Sequence, residues 1–469
     1  MSLQTIPPEI IETICHCLDA ITILKLAQVS RQFRRIVQSS ALQYKTQLEL
    51  AGLRDGPVGN FGSAARLDLL KAYQTAWAAF DWSQSTQTTV PLHGHLWEIV
   101  GNVVATYSAE TGFEFNRIPS PLRHVAHEQW SITGVSCDVN DFSMDLSLDL
   151  LLLVELNSSK SLVVHLLSLK TGRPHPLARQ PRLSAELDSP GPSLSYSFQI
   201  RIFGEHIGVM TEPEDEMLEL HVWEWKTGLL KKHICQDHIT SFAFLDHRRL
   251  LLSGFADLRA ELRILEINDC QTDTPSFTFL LPELSLDPYD MDMTIQTEPA
   301  PSWPVNARPA EPLATSHDDR LFVVSLGGWD SIPGHEPAFM LCVQLSTMLN
   351  LMDEPVNRAG HHTISWEQWG LSTRMLRVPS LPDTWVCYTD KTQWKILDFN
   401  LFDLDPEYRI KHEKTVDKKH RMFVQPVTTS APFTLRSISL PPSTHAVMLT
   451  EDAIVAVSED EDVVTIFSI

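Results

Sequence analysis

Short apolar strands recur in pairs from about residue 90 onward, and this repetition limits the fold more than any other feature. Leu150-Leu-Leu-Leu-Val, Ile207-Gly-Val-Met, Leu250-Leu-Leu-Ser-Gly, Leu321-Phe-Val-Val-Ser-Leu and Ala453-Ile-Val-Ala-Val are each followed, after a polar turn, by a second run. The second runs begin at Leu162, Leu220, Leu262, Phe339 and Val463, and the runs at Phe113 and Trp394 have the same character. Short β-branched and aromatic runs bounded by turn residues read as strands. No long helical pattern separates them, so a parallel α/β sheet is disfavoured and repeated antiparallel units are favoured. Seven units over roughly 380 residues average about 54 residues each, longer than the ~40–45 of regular four-stranded repeats, so insertions are expected.

Leu220-His-Val-Trp-Glu-Trp-Lys-Thr-Gly is similar to the Trp-Asp strand end and following turn of WD-type repeats. The resemblance implies a β-propeller over 82–469, with seven blades expected and six or eight as alternatives. A pair of β-sandwiches is the runner-up. In a closed ring the last blade takes strands from both ends of the domain, because closure removes exposed edges. Residues 463–469 are expected to meet a segment within 82–106.

The first fifty residues have a different period. Pro8 suits the first turn of a helix, and Glu9 lies at the positive end of its dipole. Ile10, Ile11, Ile14 and Leu18 recur at helical spacing; Ile21, Leu24, Leu26 and Ala27 form a second run. Ser30 can cap a third helix, in which Phe33, Ile36, Val37, Tyr44 and Leu48 fall near one stripe and Gly52 stops it. So short a module buries little surface and needs a partner or neighbour. Arg54 to Gly62 reads as a loop, and Ser63 opens an amphipathic helix with Leu67, Leu70, Tyr73, Ala76, Trp77 and Phe80 on its apolar stripe.

The opening Ile6-Pro7-Pro8-Glu9-Ile10-Ile11, the Leu18-Asp19 pair and Val29-Ser30-Arg31-Gln32-Phe33 resemble the F-box in order and spacing. The usual Leu-Pro opening is Ile6-Pro7 here, and the usual Cys-Arg-x-Trp is Ser30-Arg31-Gln32-Phe33. The whole resembles a fungal-type F-box protein with a WD-like propeller. That resemblance implies an α plus all-β chain: a three-helix F-box over 1–52, a linker loop and helix over 53–81, and the propeller over 82–469. It implies substrate reception for a Skp–cullin–F-box (SCF) ubiquitin ligase, with no catalysis by the chain itself. By the same resemblance Ile6, Pro7, Pro8, Glu9, Ile10, Ile14 and Leu24 contact the adaptor subunit and, through it, cullin. Leu18, Val29 and Phe33 are expected to knit the helices together. A non-degradative scaffold and a propeller-fold enzyme are the alternatives.

Composition removes several function classes. The formal net charge of −22 repels phosphate backbones, so nucleic acid is not an expected partner. No apolar run approaches the ~18 residues of a membrane span, and the first residues lack the pattern of a signal peptide. Seven scattered cysteines fit a reducing compartment, cytoplasmic or nuclear, and no disulfide framework. Cys15-His16-Cys17 sits in a helix, where residues two apart diverge, and His361-His362 would diverge likewise in a strand, so no metal site is expected in the chain. There is no Gly-x-Ser-x-Gly elbow, Walker loop or His-Glu-x-x-His, and no cofactor is expected.

Insertions on a rigid scaffold are the natural place for target binding. Residues 173–195 are proline-rich. Residues 282–318 are rich in proline and acid, include Trp303, and are expected to be partly disordered. Residues 406–421 end in the basic Lys418-Lys-His-Arg. Residues 355–370 hold His361, His362, Trp366 and Trp369, the candidate target-binding residues, although tryptophans pack between blades equally well. A phosphate reader would need several of Arg173, Arg248, Arg249, Arg259, Arg263 and Arg374 to converge.

Overall fold

The computed structural model describes residues 6–56, 61–78, 85–94, 96–157, 161–188, 196–213, 217–236, 238–256, 259–268, 275–285, 291–298, 312–316, 320–328, 338–354, 362–378, 387–390, 393–398, 415–417, 422–439, 444–450, 452–458, 460 and 462–468.

The N-terminal module has four helices rather than three: α1 (Pro8–His16), α2 (Ala20–Val29), α3 (Arg31–Val37) and α4 (Ser40–Leu50). Polar caps set the boundaries. The Asp19 carboxylate accepts the Thr22 amide at 2.8 Å, and the Ser30 hydroxyl accepts the Phe33 amide at 3.2 Å. The expected third helix is broken because Ser39 caps a new one, accepting the Leu42 amide at 3.4 Å. Its hydroxyl also donates to Glu12 at 2.8 Å, pinning that break to α1. Ile11, Cys15, Ile23, Phe33, Val37 and Leu42 make the module's own core.

The β region is a propeller. Its described blades begin with Leu96–Val100, Asp141–Asp145, Tyr196–Phe203, Ile239–Phe244 and Met291–Glu298, and these first strands touch in succession around the centre. Each strand pair named from the sequence is an antiparallel pair; Leu150–Leu156, for example, runs against Ser161–Ser168. The blade number differs from expectation. Among the described residues six blades have four or five strands, and a three-stranded sheet (Cys387–Asp390, Gln393–Asp398, Thr434–Ser439) stands between the fifth and the closing blade. Strict repetition stops there because long insertions interrupt the late blades.

Apolar clusters fill the spaces between blades. Phe113, Phe142 and Leu151 join the first and second; Leu152, Val209 and Trp225 join the second and third. Phe279, Phe322 and Leu341 join the fourth and fifth. The ring closes as expected: Thr86–Pro91 pairs with Val463–Ser468, Val90 lying opposite Val464.

Two segments read as loop or disorder form the joint between module and ring. Leu53–Asp55 pairs antiparallel with Leu313–Thr315, from the insertion of the fifth blade. The amide of Gly56 donates to Pro312 at 3.0 Å and that of Ser316 to Gly52 at 2.7 Å. Around this joint Tyr44 and Leu48 of α4, Leu67 and Leu70 of α5 (Ser63–Ala78), and Leu313 bury one another. The amphipathic helix thus packs on α4 and the insertion. Trp303, His361 and Lys418 to Arg421 lie outside the described residues.

Candidate adaptor-docking face

Once the core of the N-terminal module is filled, α1 and α2 still leave apolar side chains in water. Ile10 is 52% exposed, Ile14 46%, Ile21 47%, Leu24 39% and Val29 69%. Helix geometry accounts for the division. Ile11 and Cys15, four apart on α1, turn inward, while Ile10 and Ile14 fall on the adjoining face. On α2, Ile23 turns inward, and Ile21 and Leu24, three apart, point out.

Of the residues expected at the adaptor, Pro7, Pro8, Glu9, Ile10, Ile14 and Leu24 are exposed, and Ile6 is half-buried against the module's core. Pro8 starts α1 at a position that needs no N–H, and Pro7 precedes it in extended backbone. Leu18 and Phe33 pack inward as expected. Val29 does not: it ends α2 and is the most exposed of these aliphatic side chains. Ile21 was missed, although its spacing to Leu24 would have shown it. Asp19, the exposed cap of α2, is held under the usual carboxylate range by hydrogen bonds from Thr22. Burial pushes the Cys15 thiol up, as suits a core residue. Cys17, two positions on, is exposed, so the Cys15-His16-Cys17 run does not converge.

The expected target-binding group is corrected for Trp369, which is wholly buried. Its indole N–H donates to the Leu280 carbonyl at 3.0 Å, and its ring meets Phe279 edge-on at 5.3 Å. Trp366 is half-buried and stands edge-on to Trp369 at 5.2 Å. His362 belongs to a short strand (His362–Ile364) added in parallel to the fourth blade, and its ring lies 5.7 Å from that of Phe277. Blade packing therefore accounts for the tryptophan pair. Among the arginines, Arg249 binds Asp246 at 2.9 Å, Arg263 pairs with Glu261, and buried Arg374 donates to the Ala431 carbonyl at 2.6 Å. Each is engaged locally rather than with the others.

Among the described residues, no helix is long and apolar enough to cross a membrane.

The F-box-like family model matches residues 3–46. No curated protein matches. Among solved structures the chain is similar to BamB from Moraxella catarrhalis, with 14% identity, 82% of this chain and 100% of that one covered, and a TM-score of 0.33. It is similar to the WD40 domain of SCAP from fission yeast, at 9% identity over 80% and 82% of the two chains with a TM-score of 0.33. The WD40 domain of coronin from Toxoplasma gondii gives 8% identity, 82% and 86% coverage and a TM-score of 0.32. The N-terminal segment is an F-box-like domain, and the β region is a propeller.

Proposed function

We propose that this protein is the substrate-recognition subunit of an SCF-type ubiquitin ligase, itself without catalysis. The observation that carries the reading is the exposed apolar set Ile10, Ile14, Ile21, Leu24 and Val29 on a module whose own core is already complete. Burying a large aliphatic side chain contributes roughly 1.5–3 kcal/mol, so water is an unfavourable resting place for five of them. An adaptor groove would cover them in a helix-on-groove contact of standard size, roughly 1,600 Å². Pro7, Pro8 and Glu9 would lie at its rim, and cullin would be reached through the adaptor.

The joint to the ring gives this docking a purpose. Strand pairing between Leu53–Asp55 and Leu313–Thr315 fixes the module to the propeller through backbone hydrogen bonds, which a flexible tether would not do. A target on the ring is then held at a set distance from the adaptor. Ubiquitin transfer gains by proximity, since a positioned lysine has a high effective concentration. The setting would be cytoplasmic or nuclear.

Co-purification of the full-length chain with the adaptor and cullin tests the reading. Recovery that is unchanged by Ile10→Asp and Ile14→Asp together overturns the docking face. Adaptor binding without ubiquitylation of any co-purifying protein would make the chain a scaffold instead.

A further inference from the structure

A polar cluster between the second and third blades carries an inference that is independent of adaptor docking. Strand Glu219–Glu224 runs antiparallel to Leu229–Cys235, with Glu219 opposite Cys235 and His221 opposite His233. Alternate residues share a face, so these four side chains form a two-by-two block. Leu220 and Val222 point the other way, into the apolar cluster with Phe242 and Leu250. The block therefore faces the second blade. There Asp188 donates its amide to Glu219 at 3.1 Å and brings its carboxylate within 3.8 Å of His233 Nε2.

Glu219 and His221 are each only 1% exposed. His233 Nε2 lies 3.4 Å from the Glu219 carboxylate, and the two imidazoles stack at 4.4 Å. One donor atom from each of Glu219, His221 and His233 lies within 4.8 Å of the others, and the same holds for Asp188, Glu219 and Cys235. His221 Nδ1 is buried with no hydrogen-bond partner. A buried polar atom without a partner is costly, and a lone pair in a group of ligand atoms is what a cation would satisfy. A second group, Cys137, Glu155 and His165, lacks that feature, because His165 and Glu155 already bond at 2.7 Å.

We propose that Glu219, His221 and His233 bind a divalent transition-metal ion of the zinc class, with Asp188 and Cys235 lining its fourth position. Mixed imidazole, carboxylate and thiol donors exclude calcium and magnesium, which take oxygen ligands. Tetrahedral zinc with ligands at ~2.0–2.3 Å sets donors roughly 3.3–3.8 Å apart, so small rotamer shifts close the cluster. The ion would tie the hairpin of the third blade to the second.

The probe is cobalt(II), titrated into full-length protein stripped with a chelator. Saturable binding is expected, with the intense visible bands of tetrahedral cobalt, displaced by zinc. His221→Gln and Glu219→Gln should each abolish the bands, and His165→Gln should keep them. Their absence in the unmodified chain, or their survival in both of the first two variants, overturns the proposal. X-ray absorption on the zinc-loaded unmodified chain needs no variant. Two imidazole ligands are expected, and fewer than two overturns the site.

Discussion

Arg123 and Asp452, 329 residues apart in sequence, form a two-pronged ion pair with both side chains buried. The guanidinium donates from Nε to one carboxylate oxygen at 2.6 Å and from Nη2 to the other, while Nη1 donates to the Leu313 carbonyl at 3.0 Å. One side chain thus joins the first blade, the closing blade and the insertion that carries the F-box-like module. Each member of a buried pair depends on the other, because a lone buried charge is unfavourable. Asp452→Ala should cost about 3–5 kcal/mol in denaturant unfolding. Replacing both residues with apolar ones of similar volume should recover much of that loss. A single-variant loss below about 1 kcal/mol would show that the pair holds nothing together.

Neighbouring isoleucines on α1 should separate folding from docking. Ile11 is 3% exposed in the module's core, whereas Ile14 is 46% exposed. Ile11→Ala should destabilise the module by about 2–5 kcal/mol through the cavity it leaves. Ile14→Asp should leave the melting temperature unchanged within error and remove adaptor recovery. If Ile14→Asp unfolds the module, the proposed face belongs to the core.

Asp145 gives a pH-dependent prediction. Burial pushes its carboxyl up to about 7, although one oxygen accepts the Ser147 amide at 2.9 Å, the Ser147 hydroxyl at 2.7 Å and the Leu148 amide at 3.1 Å. A raised native value means that the folded state holds the proton more tightly than the unfolded chain. This stabilising contribution is complete below the unfolded value near ~4 and is lost as pH rises to about 7. Asparagine keeps the accepting oxygen and cannot ionise. Asp145→Asn should therefore gain stability over the wild type between these limits and hold the gain above them, on the order of 2–4 kcal/mol. Thermal melts across this pH range measure it. A difference that does not vary with pH would refute the assignment.

What could be read from the sequence was periodic or capped. The strand pairs stood out because each apolar run is short and bounded by turns, and the Ser30 cap was visible from its hydroxyl before a helical stripe. Ser39 has the same chemistry, but the apolar stripe from Phe33 to Leu48 runs through it and hid the break. Leu53–Asp55 and Leu313–Thr315 were missed because three-residue strands have no period, and each pairs with a segment far away in sequence. Trp369 looked like an interface anchor because sequence shows an aromatic and not what covers it. The Glu219, His221, His233 and Cys235 block has a legible form, alternate donors on both arms of a hairpin, but only the register sets them opposite one another.

Ring closure is the most demanding test of the fold. Thr86–Pro91 is the edge strand of the closing blade, and all six of its residues pair with Val463–Ser468. Val90 is 4% exposed opposite Val464, and both lie in a cluster with Val104 and Ile118 of the first blade and Val455 and Ile466 of the closing one. An aspartate at position 90 would bury an unpaired carboxylate where the two ends of the ring meet. In a closed ring that opening spreads, since each blade packs on two neighbours. Val90→Asp should therefore lower the melting temperature of the whole β region in one transition, and raise hydrogen exchange both in Val103–Ser108 and in Ala453–Ser458. Several kcal/mol are expected from the buried charge alone. The exposed neighbour Thr89→Asp would report only the local strand, as its side chain is in water. If Val90→Asp changes exchange on one side of the join only, the two ends do not share a blade and the closed ring is wrong.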